Sequence, residues 1–196
     1  NYSNLPLAGN IEASRNRFRY CANLGLLKHA IPLESGGHGD SFTDLVTAHE
    51  TLGKVCLDCG LLLSINAHLW GFIFPLLNYG AVEQKQTWLS GLLSGELIGG
   101  HAISEPQAGS DLNALELKAV ATEEGLLLNG HKRYITNTPI ADMMVVYGRL
   151  ENKLSAFIVR SDDPGANFID NPNVTGCTSA TMGDVVLEDC LIPYNR

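Results

Sequence analysis

The sequence is poor in charge, and what charge there is leans acidic: 13 Lys and Arg against 21 Asp and Glu, 17% charged in all, net −8 with neutral histidines. A nucleic-acid binder needs a basic stripe to neutralise phosphates, and none is present. An anionic cofactor is not excluded by this balance, because backbone amides and a few local cations suffice to hold one. Cysteine is also scarce. Cys21, Cys56, Cys59, Cys177 and Cys190 form an odd, dispersed set, too thin for a disulfide framework, and read as free thiols of a reducing compartment. Cys56 and Cys59 make a CxxC, but zinc takes about four ligands and no second pair follows, so they read as small side chains on a helix. Long apolar runs are nearly absent. Residues 61–77 form one, interrupted by Asn66, His68 and Pro75, where a membrane span wants ~20 predominantly apolar residues. It is expected to be a buried helix of a soluble protein. The opening NYSNLPLAGNIEASR has no basic segment followed by an apolar one, so it does not read as a signal peptide, and it begins without Met.

What is present is an ordinary globular balance, 45% hydrophobic over 196 residues, enough for one domain or two small ones with a core of their own. The hydrophobic period changes along the chain. Helical spacing is expected from Ile11 to about Lys28, from Asp40 or Ser41 as a cap through Leu52, through the apolar stretch ending at Tyr79 with Pro75 as a kink or stop, and over 82–93. After Gly95 the period falls to two, and strands are expected at 97–104, 115–122, 126–128, 131–136, 143–149, 155–159 and 185–187. Asn129-Gly130 reads as a two-residue hairpin turn. Helices followed by strands mean an α+β chain, divided into a helical domain over 1–96 and a β-domain over 97–196.

Two segments carry candidate chemistry. In Ala102-Ile103-Ser104-Glu105-Pro106-Gln107-Ala108-Gly109-Ser110-Asp111 a strand ends at Ser104, Pro106 stiffens the exit, and Gly109 allows a turn that presents N–H groups beside the Ser110 hydroxyl. In Tyr134-Ile135-Thr136-Asn137 an aromatic ring and a hydroxyl two residues apart share one face of a strand, a pair suited to a planar heterocycle. Either pattern alone is also an ordinary turn or strand. Glu105 reads as a structural hydrogen-bonding group rather than a base. His29, His38, His49, His68, His101 and His131 share no ligand spacing, so no metal is assigned. The GGHG at 36–39 lacks a following Lys-Ser or Lys-Thr and reads as a turn between helices.

Taken together, and in this order, NLGLLKHAIPLESGGHGD, YGAVEQKQTWLSGLLSGELIGGHAISEPQAGSD, LLLNGHKRYITNTPIADMMVVYGR and VVLEDCLIP resemble the acyl-CoA dehydrogenase family over residues 17–193. The resemblance implies an N-terminal helical domain, an antiparallel β-barrel domain and then a C-terminal helical bundle, which is absent from this chain. It implies FAD against the β-domain, contacted by Ile103, Ser104, Gly109, Ser110, Tyr134, Ile135 and Thr136, with Ser110 also at the acyl thioester. No catalytic residue is implied within these 196, since the family's catalytic Glu lies in the bundle. Gln107 stands where the family often has Gly, and Tyr134 where Trp is usual. Thr178, Ala180 and Met182 replace an Arg, a Ser and a Thr, which bears on the acyl carrier and acyl group.

The activity so implied is FAD-dependent α,β-dehydrogenation of an acyl thioester, on CoA or on an acyl-carrier protein. An electron-transfer flavoprotein or oxygen would take the electrons, within a homodimer or homotetramer in a bacterial cytoplasm or mitochondrial matrix. The expected chain is thus part of an enzyme. The alternative is a non-catalytic or degenerate relative that acts as a binding protein.

Overall fold

The computed structural model describes residues 10–56, 58–171 and 173–196. Among these described residues, five α-helices come first. Asn10 caps α1 (Ile11–Asn23) by accepting from the N–H groups of Glu12 and Ala13, and the helix buries Ser14, Arg17, Phe18, Cys21 and Ala22 along one stripe. Of the two cap candidates for α2 (Phe42–Val55) the structure uses Ser41, in a reciprocal box with Asp44. The CxxC does not lie on one helix: Cys56 ends α2 and Cys59 begins α3 (Cys59–His68). Pro75 neither stops nor sharply ends the apolar run. A π-turn over Leu69–Ile73 passes directly into α4 (Phe74–Tyr79), with Pro75 in its first turn. In unbroken α register the proline ring would meet the carbonyl four residues earlier, and the π-turn removes that clash. By length and composition the run Cys59–Tyr79 passes for a membrane span, but 67% of its most apolar window is buried, chiefly against the turn Thr178–Ala180, β1 and α1. α5 (Val82–Ser94) closes at Gly95, whose φ of +72° is the left-handed conformation that glycine adopts without penalty.

Seven strands follow: β1 (Gly99–Ala102), β2 (Lys118–Ala121), β3 (Leu126–Ile135), β4 (Met143–Leu150), β5 (Lys153–Arg160), β6 (Ala166–Asp170) and β7 (Gly183–Ile192). They make one sheet in the order β1-β4-β2-β3-β7-β6, with β5 on the other edge of β4. The sheet is mixed rather than purely antiparallel, because β1 and β2 both run parallel to β4. β1 pairs with the first half of β4 and β2 with its end, so the two short strands lie in line along one edge. The segment between them must therefore leave the sheet and return. β6 was not expected from the sequence. Its burial alternates weakly and its outer face is exposed, so the period-two signal is faint.

The Asn-Gly signal is a correction. Leu126–Ile135 is one continuous strand, with a register shift where Asn129-Gly130 passes. The turn lies earlier, at Glu123-Glu124-Gly125. Asn129 is held across the sheet by Asp189, whose N–H donates to Asn129 Oδ1 at 2.8 Å. A side chain at Gly130 would stand 2.7 Å from Leu117 Cγ. Here the glycine serves close packing at a bulge and not a hairpin.

β4 separates two cores. Met143 and Val145 point into the helical core with Phe18, Leu61, Ile65, Phe72 and Leu92, while Met144 and Val146 point into the sheet core with Leu128, Phe157 and Val185. Such alternation buries both faces of one strand. Buried polar groups then join helices to sheet. Fully buried His68 accepts from Gly99 N–H at its Nδ1 (2.9 Å) and donates from Nε2 to the Leu92 carbonyl (3.0 Å), which fixes a neutral tautomer. Buried Asn137, left-handed at φ +71°, donates to the carbonyls of Ser64 (3.0 Å) and Gly99 (3.1 Å). Arg15 on α1 places Nη2 3.0 Å from both carboxylate oxygens of Asp142, and Asp142 in turn accepts from Ile98 N–H at 2.7 Å. The thiols of Cys21 and Cys190 are core groups, pushed up by burial to about 12 and about 11.

Burial holds the His68 pKa down to about 4, against an ordinary value of 6.5. The unfolded chain then binds the proton that the native state refuses, so stability falls as pH drops from about 6.5 toward 4. The span from 6.5 to about 4 corresponds to roughly 3 kcal/mol. The urea midpoint is expected to decline across that window, and the decline to be clearly shallower in His68→Gln. Equal slopes for the two proteins would remove His68 as the titrating group.

Candidate cofactor site

The segment that leaves the sheet between β1 and β2 is the loop singled out from the sequence, and its shape is set by Glu105. The Glu105 carboxylate is buried, with its side chain 2% exposed, and the Lys132 side chain facing it is fully buried. Lys132 Nζ donates to Glu105 Oε1 at 2.7 Å and to the Ile103 carbonyl at 2.8 Å. The same carboxylate accepts from the N–H groups of Glu116 (2.7 Å) and Leu117 (3.0 Å), where the chain re-enters the sheet, and from Gln107 Nε2 (2.8 Å). One side chain thus holds the exit and the return of the loop. Burial alone would raise the Glu105 pKa. The Lys132 ammonium and the two backbone donors outweigh it, and the group titrates below its ordinary value. With both oxygens engaged, Glu105 is a structural anion, in agreement with its reading from the sequence.

Between those anchors Glu105 and Ala108 exchange backbone hydrogen bonds at 2.7 and 3.2 Å, which makes a tight turn through Pro106 and Gln107. Gly109 and Ser110 follow on the exposed arm. Gly109 is not there for the turn: its φ is not positive, and a Cβ added to it meets nothing within 4 Å. Nothing among the described residues needs a glycine at this position, so it leaves open space on the outer side of the loop.

β3 runs alongside. Ser104 accepts from Arg133 N–H at 2.8 Å, which puts Ile103 and Ser104 beside the end of β3. The shared strand face for Tyr134 and Thr136 is corrected. Tyr134 has φ +58° at a register shift between Lys132 and Ile135, and Thr136 lies past the strand end. A bulge breaks the two-residue alternation and re-aims the side chain. Tyr134 is 59% exposed, with the Arg133 guanidinium 4.8 Å from its ring centroid. Asp184 accepts from Tyr134 N–H at 3.3 Å and lies 2.8 Å from His131 Nε2. Ile135 faces the sheet core and its carbonyl accepts from Thr138 Oγ1, so its side chain is turned away from any ligand. The hydroxyls of Ser104, Ser110 and Thr136 have no hydrogen-bond partner among the described residues.

His101 lies on β1 just before the loop, packed against the helix that contains Ala67, whose backbone hydrogen bond counters part of the effect of burial. Its ring fills the space beside Gly71, where a Cβ would stand 2.0 Å from Nδ1. Burial lowers its pKa. Sequence reasoning missed Lys132, the cation that organises the loop. A single Lys in a strand of alternating polarity reads as solvent-facing, and only its partner Glu105 marks it otherwise. A groove of about 530 Å³ on α2 and α3, lined by Leu45, Val46, His49, Leu62, Asn66 and Trp70, contains none of the residues that the family resemblance puts at the cofactor.

The two halves match known proteins in the same order. Residues 6–96 match the family model described as acyl-CoA dehydrogenase, N-terminal domain, and residues 100–190 the one described as acyl-CoA dehydrogenase, middle domain. The chain is 36% identical to the human short-chain specific acyl-CoA dehydrogenase, mitochondrial, over 87% of its own length and 42% of that protein. It is 34% identical to the L-prolyl-(peptidyl-carrier protein) dehydrogenase of Pseudomonas fluorescens, over 88% of its own length and 47% of that protein. A solved structure of PigA with FAD and proline superposes with a TM-score of 0.87 at 31% identity, covering 95% of this chain and 49% of that one. The chain therefore spans about half the length of the curated relatives it matches.

Breaking a buried ion pair from one side leaves an uncompensated charge, at a cost of about 3–5 kcal/mol. Glu105→Gln is expected to lower stability by that order, read from the urea midpoint, and to open residues 106–116 to limited proteolysis. Unchanged stability and an unchanged digestion pattern would show that the loop is held by something else.

Proposed function

Because the chain belongs to the acyl-CoA dehydrogenase family, we propose that the protein containing it is an FAD-dependent dehydrogenase that removes hydrogen from the α and β carbons of an acyl thioester. The observation that supports this reading is that the Glu105-anchored loop leaves beside the end of β3, where Arg133 N–H donates to the Ser104 carbonyl at 2.8 Å. We assign the cofactor cradle to these two segments, which carry open space at Gly109, unpartnered hydroxyls at Ser104, Ser110 and Thr136, and the exposed Tyr134. These are the groups a planar, hydrogen-bonding, phosphate-bearing cofactor requires: a face to stack on, donors for ring heteroatoms, and room for backbone approach. Relatives with FAD in their structures, such as PigA with FAD and proline, support the assignment.

Bound FAD supplies a two-electron acceptor for the hydride that leaves the β-carbon. The residues of this chain hold and orient. Ser104 and Thr136 offer hydroxyls at adjoining strand ends, Ser110 offers one on the outer arm of the loop, and Tyr134 offers a ring steadied by Arg133. The α-proton needs a carboxylate acceptor, and Glu105 does not serve. It is buried, ion-paired to Lys132, and accepts three further hydrogen bonds. We place that base outside these 196 residues. Named relatives act on acyl-CoA and on a peptidyl-carrier-bound prolyl group, so a phosphopantetheine thioester is the chemistry proposed here, with either carrier.

Gly109→Val offers a direct test. The added side chain meets no atom of this chain within van der Waals reach of Cβ, so the melting temperature should stay where it is. FAD affinity of the full-length protein should fall by about tenfold or more, equivalent to roughly 1.4 kcal/mol, read from flavin absorbance after gel filtration. Retained flavin in Gly109→Val would move the cradle elsewhere. A full-length protein without flavin, inactive on acyl-CoA and acyl-carrier thioesters with an artificial acceptor, would favour the binding-protein reading.

A further inference from the structure

The connection from α1 to α2 brings together three groups that lie apart in the sequence. His29 Nδ1 lies 2.6 Å from Asp40 Oδ2, and His38 Nδ1 lies 3.6 Å from the same oxygen. The ligand atoms of all three residues fall within 4.8 Å of one another. The two imidazole rings are nearly perpendicular, with centroids 5.3 Å apart, so their nitrogens converge on one carboxylate without overlap of the rings. The histidines share no ligand spacing in sequence. The fold of the turn supplies the proximity.

That turn is stapled along its length. His38 N–H donates to the Lys28 carbonyl at 3.0 Å, Gly39 N–H to Ile31 at 2.9 Å and Gly37 N–H to Pro32 at 3.1 Å, over a fully buried Ile31. The His38 ring rests on the backbone of Gly25, where a Cβ would stand 2.8 Å from Cε1 and where φ is +83°. The ligand-bearing positions are thus held before any ion arrives, which lowers the cost of ordering them.

We propose that His29, His38 and Asp40 form a site for one borderline divalent transition-metal ion of the zinc class. Two imidazoles and a carboxylate are a donor set that zinc, nickel or copper takes, whereas magnesium and calcium want oxygen alone. A tetrahedral ion with bonds of about 2.0–2.1 Å needs its donors roughly 3.3 Å apart. The contacts of 2.6 and 3.6 Å bracket that separation, so seating the ion opens the His29–Asp40 contact by less than about 1 Å. The side chains are 24%, 42% and 34% exposed for His29, His38 and Asp40, which leaves the remaining coordination positions to water. The ion clips the connection between α1 and α2 and shares no residue with the cofactor cradle.

The test uses the full-length protein, stripped with a chelator and titrated with zinc chloride by calorimetry, then with cobalt(II) for its visible absorption bands. One ion per chain is expected, with saturable binding. His38→Ala changes an accessible side chain outside the core and should weaken zinc by about tenfold or more, as should Asp40→Asn. Cys59 and Cys177, with sulfurs 3.3 Å apart, are the obvious competing donors, so Cys59→Ser/Cys177→Ser should bind as the parent does. Three results overturn the proposal: no saturable zinc binding, binding unchanged in His38→Ala and Asp40→Asn, or binding lost in the cysteine double variant.

Discussion

The ion pair between Glu105 and Lys132 is the constraint on which the proposed site depends. Its two charges are almost completely removed from water, an expensive arrangement unless every lone pair and proton finds a partner. Here they do. Lys132 divides its protons between the Glu105 carboxylate and the Ile103 carbonyl, and Glu105 collects Gln107 and two backbone donors besides. The geometry follows from the strand order. β1 and β2 lie in line along one edge of β4, so the chain between them must loop out and come back at a fixed distance. A carboxylate that binds both ends of that excursion turns a long loop into a rigid projection, and it is this projection that carries Gly109 and Ser110.

The second constraint is the seam between helices and sheet. β4 lends alternate side chains to two cores, and His68, Asn137 and Arg15 satisfy backbone groups across the seam. Gly99 is the common point: its N–H is taken by His68 and its carbonyl by Asn137. β1 is thereby fixed to the helical half a few residues before the loop begins. The position of the loop relative to the helices is set by the same polar contacts that join the two cores. His101, with its Nδ1 against the π-turn at Gly71, occupies the same seam.

Much of this was legible in the sequence, and the reasons differ by element. The helices were readable because apolar spacing and caps agree, as at Ser41 and Gly95. The order of helices before strands followed from the change of period near residue 95, and the family resemblance rested on several blocks in sequence. What failed was local. Asn129-Gly130 has the composition of a hairpin, but Leu117 packed above and Asp189 bonded across make it a bulge. Pro75 looks like a helix stop, but a π-turn makes room for it. Parallel pairing of β1 and β2 with β4 has no short-range signature. Tyr134 and Thr136 looked like face-mates only under an unbroken strand period. Lys132 was passed over, because burial of a lone lysine is decided by a partner distant in sequence.

On the proposed function, Glu105 shapes the cofactor cradle from a distance, buried and out of reach of any ligand, by fixing the loop. The most direct measurement is the FAD dissociation constant of the full-length protein and of its Glu105→Gln variant, at a temperature where both are folded by circular dichroism. Affinity should be weaker by about tenfold or more in the variant, since a loop freed at one anchor must be ordered again on binding. Equal dissociation constants for two folded proteins would contradict it and make the Glu105–Lys132 pair a matter of stability alone.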